Sequence, residues 1–199
     1  MKLKEIYLAS NNCHKKVEMA AIFNNLQLIL PSERALHFEC KETGKTFCEN
    51  ALLKAQALYK LCRQPVLADD SGLCVAALDG KPGIFSARFG SELPNPPKND
   101  NERNTYLLSL LKPGQRHEAC FVCALVILFD EYRFYLVQET VNGFIIDSPR
   151  GNNGFGYDPI FYLPELDKTM AELPLAIKNK YSHRSRAASK IKYLLENSI

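Results

Sequence analysis

Apolar and polar positions along this chain switch repeatedly between two periods, and the switches mark out its elements. Lys4 to Ala9 is an apolar-rich run that predicts a buried strand. Ser10-Asn11-Asn12 follows with residues suited to capping a helix, and Val17, Ala20, Ala21 and Asn24 continue at helical spacing. Gln27 to Leu30 predicts a second strand, closed by Pro31. Thr46-Phe47-Cys48-Glu49 has the form of a capping box, with Thr46 as the cap and Glu49 reaching back. The helix it opens is expected to run to about Leu61, with Phe47, Ala51, Leu58 and Cys62 on one apolar face and Pro65 as its stop. Val66 to Ala68 then predicts a short strand ending at Asp69-Asp70-Ser71-Gly72.

Gly90 to Asn104, with Pro94, Pro96 and Pro97, has the composition of a mobile connection or lid. Arg103 to Leu111 predicts a helix. His117 to Phe129 and Arg133 to Val141 predict two long strands joined at Asp130-Glu131-Tyr132 as an antiparallel hairpin, with Gly143 to Ile146 as a third. Pro159 to Leu163 predicts a short strand, and Ser182 to Asn197 a final amphipathic helix. There is no internal repeat. Strand–helix units with one hairpin predict an α/β fold: an elongated mixed central sheet with flanking helices, residues 1–199 forming a single domain of two lobes.

Composition narrows the function classes. At 46% hydrophobic and 24% charged residues, the chain folds rather than staying disordered. Its net charge of +3 is too mild for a protein that coats nucleic acid. The longest apolar run, Ala119 to Phe129, is well short of the roughly 20 residues that span a bilayer, so no membrane association is expected. Met1-Lys2-Leu3-Lys4-Glu5 places charges where a signal peptide needs an apolar stretch, so no export is expected. The 7 cysteines have no framework spacing. On a strand, Cys120 and Cys123 would point to opposite faces and could not share a zinc ion. A reduced, cytoplasmic protein is the economical reading.

Candidate chemistry gathers at five places. Ser10, Asn11, Asn12, Cys13, His14 and Lys15 stand at a helix N-terminus, a natural anion site, and also read as a plain helix cap. Glu42-Thr43-Gly44 precedes Asn50 and Lys54, which share a helical face away from the Ala51–Leu58 stripe. That set suits a metal-bound phosphate chain, or is an ordinary solvated face. Asp69 and Asp70 point to opposite sides of a strand, so they are expected to do different work, one binding Mg²⁺ or taking a proton from water while the other ties down the turn. Asp-Asp-Ser-Gly is also good turn chemistry. In the loop from Gly151 to Pro159, glycines flank Phe155, an aromatic placed to stack on a base, and the spacing is not that of a dinucleotide fingerprint. Lys178 with Ser182, His183 and Arg184 supplies donors for a carbonyl or phosphate oxygen, or is a basic helix start on the surface.

Together these motifs resemble the inosine triphosphate pyrophosphatase family, enzymes that remove non-standard purine nucleoside triphosphates. The resemblance runs from Leu8-Ala9-Ser10-Asn11-Asn12 to Ser182-His183-Arg184-Ser185. Its most specific stretches are Glu42 to Phe47 with Glu49-Asn50-Ala51 and Lys54-Ala55, then Ala68 to Leu73, Pro82 to Arg88 and Gly154 to Pro159. It implies a two-lobed fold with the active site in the cleft between lobes, a homodimer, and Mg²⁺-dependent hydrolysis of ITP, dITP and XTP to the monophosphate and pyrophosphate. By the resemblance, Asn12 and Lys15 hold the triphosphate with Lys54 beside them, Glu42 and Asp70 bind magnesium, and the catalytic residues are Lys54 and Asp70, the latter as general base. Ser71 contacts substrate, and Phe155, Gly156, Tyr157, Asp158, Lys178, His183 and Arg184 form the base and ribose pocket. Ser10-Asn11-Asn12 and His14 depart from the family's usual Thr-Gly-Asn and small residue, and Asn153 replaces a common glycine. Asn11 permits close backbone approach to phosphate only in the left-handed conformation, which asparagine tolerates. Two rival readings are a non-hydrolytic nucleotide- or RNA-binding module, opposed by the carboxylates of Glu42, Asp69 and Asp70, and a pyrophosphatase for modified pyrimidine or methylated nucleotides.

Overall fold

Parallel pairing organises the first strands. In the computed structural model, which describes residues 3–197, β1 (Glu5–Leu8) pairs in parallel with β2 (Gln27–Ile29) and with β3 (Val66–Val75). Helix α1 (Cys13–Ile22) links β1 to β2, and α2 (Phe47–Cys62) leads into β3. The Thr46 Oγ1 accepts from the Glu49 N–H as expected. Glu49, however, reaches back to the Lys45 N–H, so the box does not close on Thr46 itself. Arg63, in the left-handed conformation at φ 51°, ends α2 ahead of Pro65.

The chain continues through α3 (Asp100–Ser109), β4 (His117–Leu128), β5 (Phe134–Ile145), β6 (Phe161–Leu163), β7 (Lys168–Thr169), α4 (Leu175–Tyr181) and α5 (His183–Asn197). Strand order is β2-β1-β3-β4-β5-β6-β7, with β6 antiparallel to β5 and to β7, so the sheet is mixed and helices flank it. Several elements differ from the sequence expectation. β3 runs through Asp69-Asp70-Ser71-Gly72 instead of stopping there. β5 absorbs Gly143 to Ile145, the stretch expected as a separate strand: a Cβ at Gly143 would lie 2.5 Å from the Tyr162 carbonyl oxygen, so the glycine lets β6 pair closely here. α3 begins at Asp100, within the segment expected as a connection, because Asn99 caps it by accepting from the Glu102 N–H. β7 and α4 were not anticipated.

The chain divides into two compact units, residues 1–71, 123–139 and 182–199 (in their described part) and residues 72–122 and 140–181. In the first, Cys123, Leu125 and Ile127 of β4 pack with Met19 of α1 and with Ala187, Ala188 and Ile191 of α5. The alternate residues Ala124, Val126 and Leu128 pack with Ala51, Ala55 and Leu58 of α2. Burial of both faces explains why β4 reads as an unbroken apolar run, and each such Leu or Ile contributes roughly 1.5–3 kcal/mol. The second unit has its own core, centred on Leu73, Leu107, Phe121, Ile145, Ile160 and Phe161, with the Phe121 and Phe161 ring centroids 4.3 Å apart. Among the described residues, no helix is long and apolar enough to cross a membrane.

Candidate active site

Asp69 and Asp70 lie mid-strand in β3, both buried, and alternation sends them to different partners. Asp69 Oδ2 accepts from Lys15 Nζ at 2.9 Å, Arg184 Nε at 3.4 Å and the Ser71 hydroxyl at 3.1 Å. Arg184 also donates from Nη1 to Glu18 Oε2 at 2.5 Å and from Nη2 to Ser71 Oγ at 2.8 Å. Burial alone would raise the Asp69 carboxyl, but the charges of Lys15, Arg184 and Lys54 outweigh it and hold the group well below the usual carboxylate range. Two buried carboxylates in a strand are tolerable only because cations from α1, α2 and α5 meet them, which is what a turn reading of Asp-Asp-Ser-Gly missed.

Asp70 faces α2. Its Oδ1 accepts from Lys54 Nζ at 2.9 Å and its Oδ2 from Asn50 Nδ2 at 3.3 Å. Lys54 Nζ also donates to Glu42 Oε1 at 2.7 Å. Asn50 and Lys54 are therefore buried against the strand instead of forming a solvated helix face. Asn50 Oδ1 accepts from the Gly44 N–H at 2.8 Å, and a Cβ at position 44 would sit 2.7 Å from that oxygen. The glycine thus lets the 42–44 segment lie on Asn50 and bring Glu42 in. Burial raises the Asp70 carboxyl, and Lys54 offsets this only in part. The two adjacent carboxyls are thus pushed in opposite directions by their different surroundings.

Glu42 and Asp70 converge on one ammonium nitrogen, so both reach a common cation position. Two carboxylate oxygens, completed by phosphate oxygens and water, suit Mg²⁺. Among the described residues no three His, Cys, Asp or Glu side chains gather into a metal cluster, so a cation here would depend on ligands arriving with it.

At the start of α1, Asn12 Oδ1 accepts from the His14 and Lys15 N–H groups at 2.9 and 3.3 Å, and Ser10 Oγ accepts from the Asn12 N–H at 3.0 Å. Cap chemistry occupies these donors. Cys13 and His14 are exposed. Positive φ among the described non-glycine residues is confined to Ala35, Arg63, Asp79 and Asp167, so Asn11 is not left-handed; its Nδ2 donates to the Phe38 carbonyl at 3.3 Å.

The second unit holds the aromatic loop. Phe155 is half-buried between Gly154 (φ 77°) and Gly156 (φ 63°). Its N–H donates to Asp158 Oδ2 at 2.9 Å; Lys178 Nζ donates to the same oxygen at 2.6 Å and stands 5.1 Å from the Phe155 ring centroid. Tyr157, expected in a base pocket, is buried in this unit's core and donates its hydroxyl to the Ser86 carbonyl at 2.9 Å. Asn153 is anchored through its N–H to Ala171 and its Nδ2 to Leu173. His183, in the first unit, is buried at the start of α5, and the Arg184 guanidinium beside it is taken up by Glu18, Asp69 and Ser71. Sequence reasoning missed Glu18, whose only signal is an acid in a helical stripe. It also missed Asp100 and Asn104, which bond Gly156 from within a segment of loop composition.

Residues 6–194 match the model of the Ham1 family. The chain belongs to the Ham1 family. Among similar members, a Treponema denticola protein named dITP/XTP pyrophosphatase is 46% identical over 194 residues, covering 98% of this chain and 100% of its own. One of the same name from Geobacillus kaustophilus is 44% identical, covering 95% of this chain and 93% of its own. The structure of the Ham1 protein of Staphylococcus aureus aligns with a TM-score of 0.85 at 43% identity, over 98% of this chain and 100% of that one. Likeness to these Ham1 proteins therefore extends over both units, not one motif.

Proposed function

We propose that this protein is a nucleoside triphosphate pyrophosphatase that cleaves dITP, XTP and ITP to the nucleoside monophosphate and pyrophosphate with Mg²⁺ as cofactor. One observation carries the reading: carboxylates from two separate segments, Glu42 and Asp70, meet at a single cation, the Lys54 ammonium. The names of the Ham1 relatives supply the substrate class. Held by Glu42 and Asp70, Mg²⁺ would neutralise the phosphate chain and the pyrophosphate that leaves.

The chain's own residues do the rest. Lys54 turns from the carboxylates to phosphate oxygens, and Lys15 at the head of α1 adds a second cation to offset the triphosphate charge. Asp70, its carboxyl raised by burial, orients water toward the α-phosphorus and takes its proton. Phe155 stacks on the purine, a contact worth roughly 1–3 kcal/mol per base. A 6-oxo acceptor where adenine has a 6-amino donor discriminates by roughly 1–3 kcal/mol per unmet group.

The test is product analysis on ITP, dITP, XTP, ATP, GTP and dUTP with Mg²⁺. Monophosphate and pyrophosphate from the first three are expected. IDP and orthophosphate from ITP would contradict attack at the α-phosphorus. Binding without turnover would mean a recognition module, and preference for dUTP would mean a pyrimidine enzyme.

A further inference from the structure

Gly156 is gripped from both sides by one helix. Its N–H donates to Asp100 Oδ2 at 2.6 Å, and its carbonyl accepts from Asn104 Nδ2 at 3.1 Å. The two side chains stand four residues apart, one turn along the same face of α3. We infer that Asp100 and Asn104 are positioning residues for base recognition, fixing the peptide that carries Phe155. The inference rests on the assignment of Phe155 to the base.

A loop with positive φ at Gly154 and Gly156 has much backbone freedom to lose, about 1–2 kcal/mol per residue ordered. That is the size of the stacking energy itself, so an aromatic platform on an untethered loop would return little affinity. Here the ordering is done in advance. The Phe155 N–H is held by Asp158, and both polar groups of Gly156 are held by α3. The helix is itself fixed: Leu107 is fully buried in the second unit's core, and Tyr106 lies against Phe89 with ring centroids 5.1 Å apart. Arg103 Nη1 donates to Asp100 Oδ1 at 2.5 Å, which leaves Oδ2 aimed at Gly156. Asn104 is buried at 3% exposure, yet its Oδ1 has no hydrogen-bond partner. An orphaned buried carbonyl costs stability, and for packing alone an apolar side chain would serve better. Its Nδ2 bond to Gly156 is what the position requires.

The experiment compares Asp100→Ala, Asn104→Ala, Asp100→Asn and Phe155→Ala with the natural protein. It measures kcat and KM for XTP with Mg²⁺, and inhibition by inorganic tripolyphosphate, which has the phosphates but no base. Asp100→Ala and Asn104→Ala should each raise KM for XTP about tenfold, one hydrogen bond's worth. Their kcat should change little, and tripolyphosphate inhibition should not move. Asp100→Asn keeps an acceptor and should recover most of the loss. Asp100 is 47% exposed at its side chain, so that truncation leaves packing intact even where Asn104→Ala folds poorly. An unchanged KM in Asp100→Ala beside a raised KM in Phe155→Ala overturns the inference and leaves the base assignment standing. An unchanged KM in Phe155→Ala overturns the base assignment itself. Equal losses for XTP and tripolyphosphate would show a general structural role and would also overturn the inference.

Discussion

The two regions assigned to substrate are built by opposite means. Around β3 the work is done by charge: Asp69, Asp70, Glu18 and Glu42 pair with Lys15, Lys54 and Arg184 at 2.5–3.4 Å. Around Phe155 it is done by shape, with glycines at positive φ and bonds to backbone groups, whose acceptors Asp158 and Asp100 are each held by a cation, Lys178 and Arg103. Buried charges are stable only while partnered, so in the first region the cost of removing a member depends on which partners it strands: Asp69 meets both Lys15 and Arg184, whereas Lys54 keeps Glu42 when Asp70 is neutralised. The second fails when a backbone conformation is denied. Substitutions of single residues separate these modes.

The largest effect is expected from Asp70→Asn. Loss of a general base lowers rates by roughly 10²–10⁴-fold, so pyrophosphate release from XTP should fall at least about a hundredfold. Stability should hold, because burial already disfavours the charged form of this carboxyl. A thermal melt close to that of the natural protein with turnover lost is the expected pair of results; near-normal turnover would remove Asp70 from its role.

Its neighbour should behave in the reverse way. Asp69→Asn strands the Lys15 and Arg184 charges that now meet on one oxygen, and breaking a buried pair costs about 3 kcal/mol. The sign with pH is fixed. Asp69 titrates below its unfolded value of about 3.9, so its contribution is full above that pH and is lost as pH falls toward the folded value. Denaturant melts of the two proteins should differ most at pH 7 and converge below pH 4. A gap that stays constant across that range would mean the aspartate acts by shape, erasing the contrast between regions.

Much of this architecture is legible from local pattern and much of the site is not. The alternation of Asp69 and Asp70, the Thr46 cap and the two long strands β4 and β5 follow from pattern over a few residues. The persistence of β3 through Asp-Asp-Ser-Gly does not, because those residues have turn composition and are kept in the strand by cations distant in the chain; Arg184 is 115 positions from Asp69. The burial of Asn50 and Lys54 is hidden for the same reason: a polar helical face reads as solvated until the strand it meets is known to be acidic. Asp100 and Asn104 gave no signal because their partner is a backbone, which has no letter in the sequence.

The smallest effect, and the finest test of the second mode, separates the two glycines beside Phe155. Both have positive φ, so alanine at either carries a left-handed penalty of roughly 1–2 kcal/mol. Their surroundings differ. A Cβ at Gly154 would lie 2.0 Å from Asp158 Oδ2 and 3.0 Å from Lys178 Nζ, whereas a Cβ at Gly156 meets nothing within 4 Å. Gly154→Ala must therefore displace Asp158, and with it the acceptor of the Phe155 N–H and the partner of Lys178. KM for XTP should rise several-fold in Gly154→Ala with kcat retained, while Gly156→Ala should lower only the melting temperature. Equal KM values in the two variants would show that strain in the glycine backbone, and not the position of Asp158, governs the platform. The loop would then have to be counted as flexible and the comparison with the charged region redrawn.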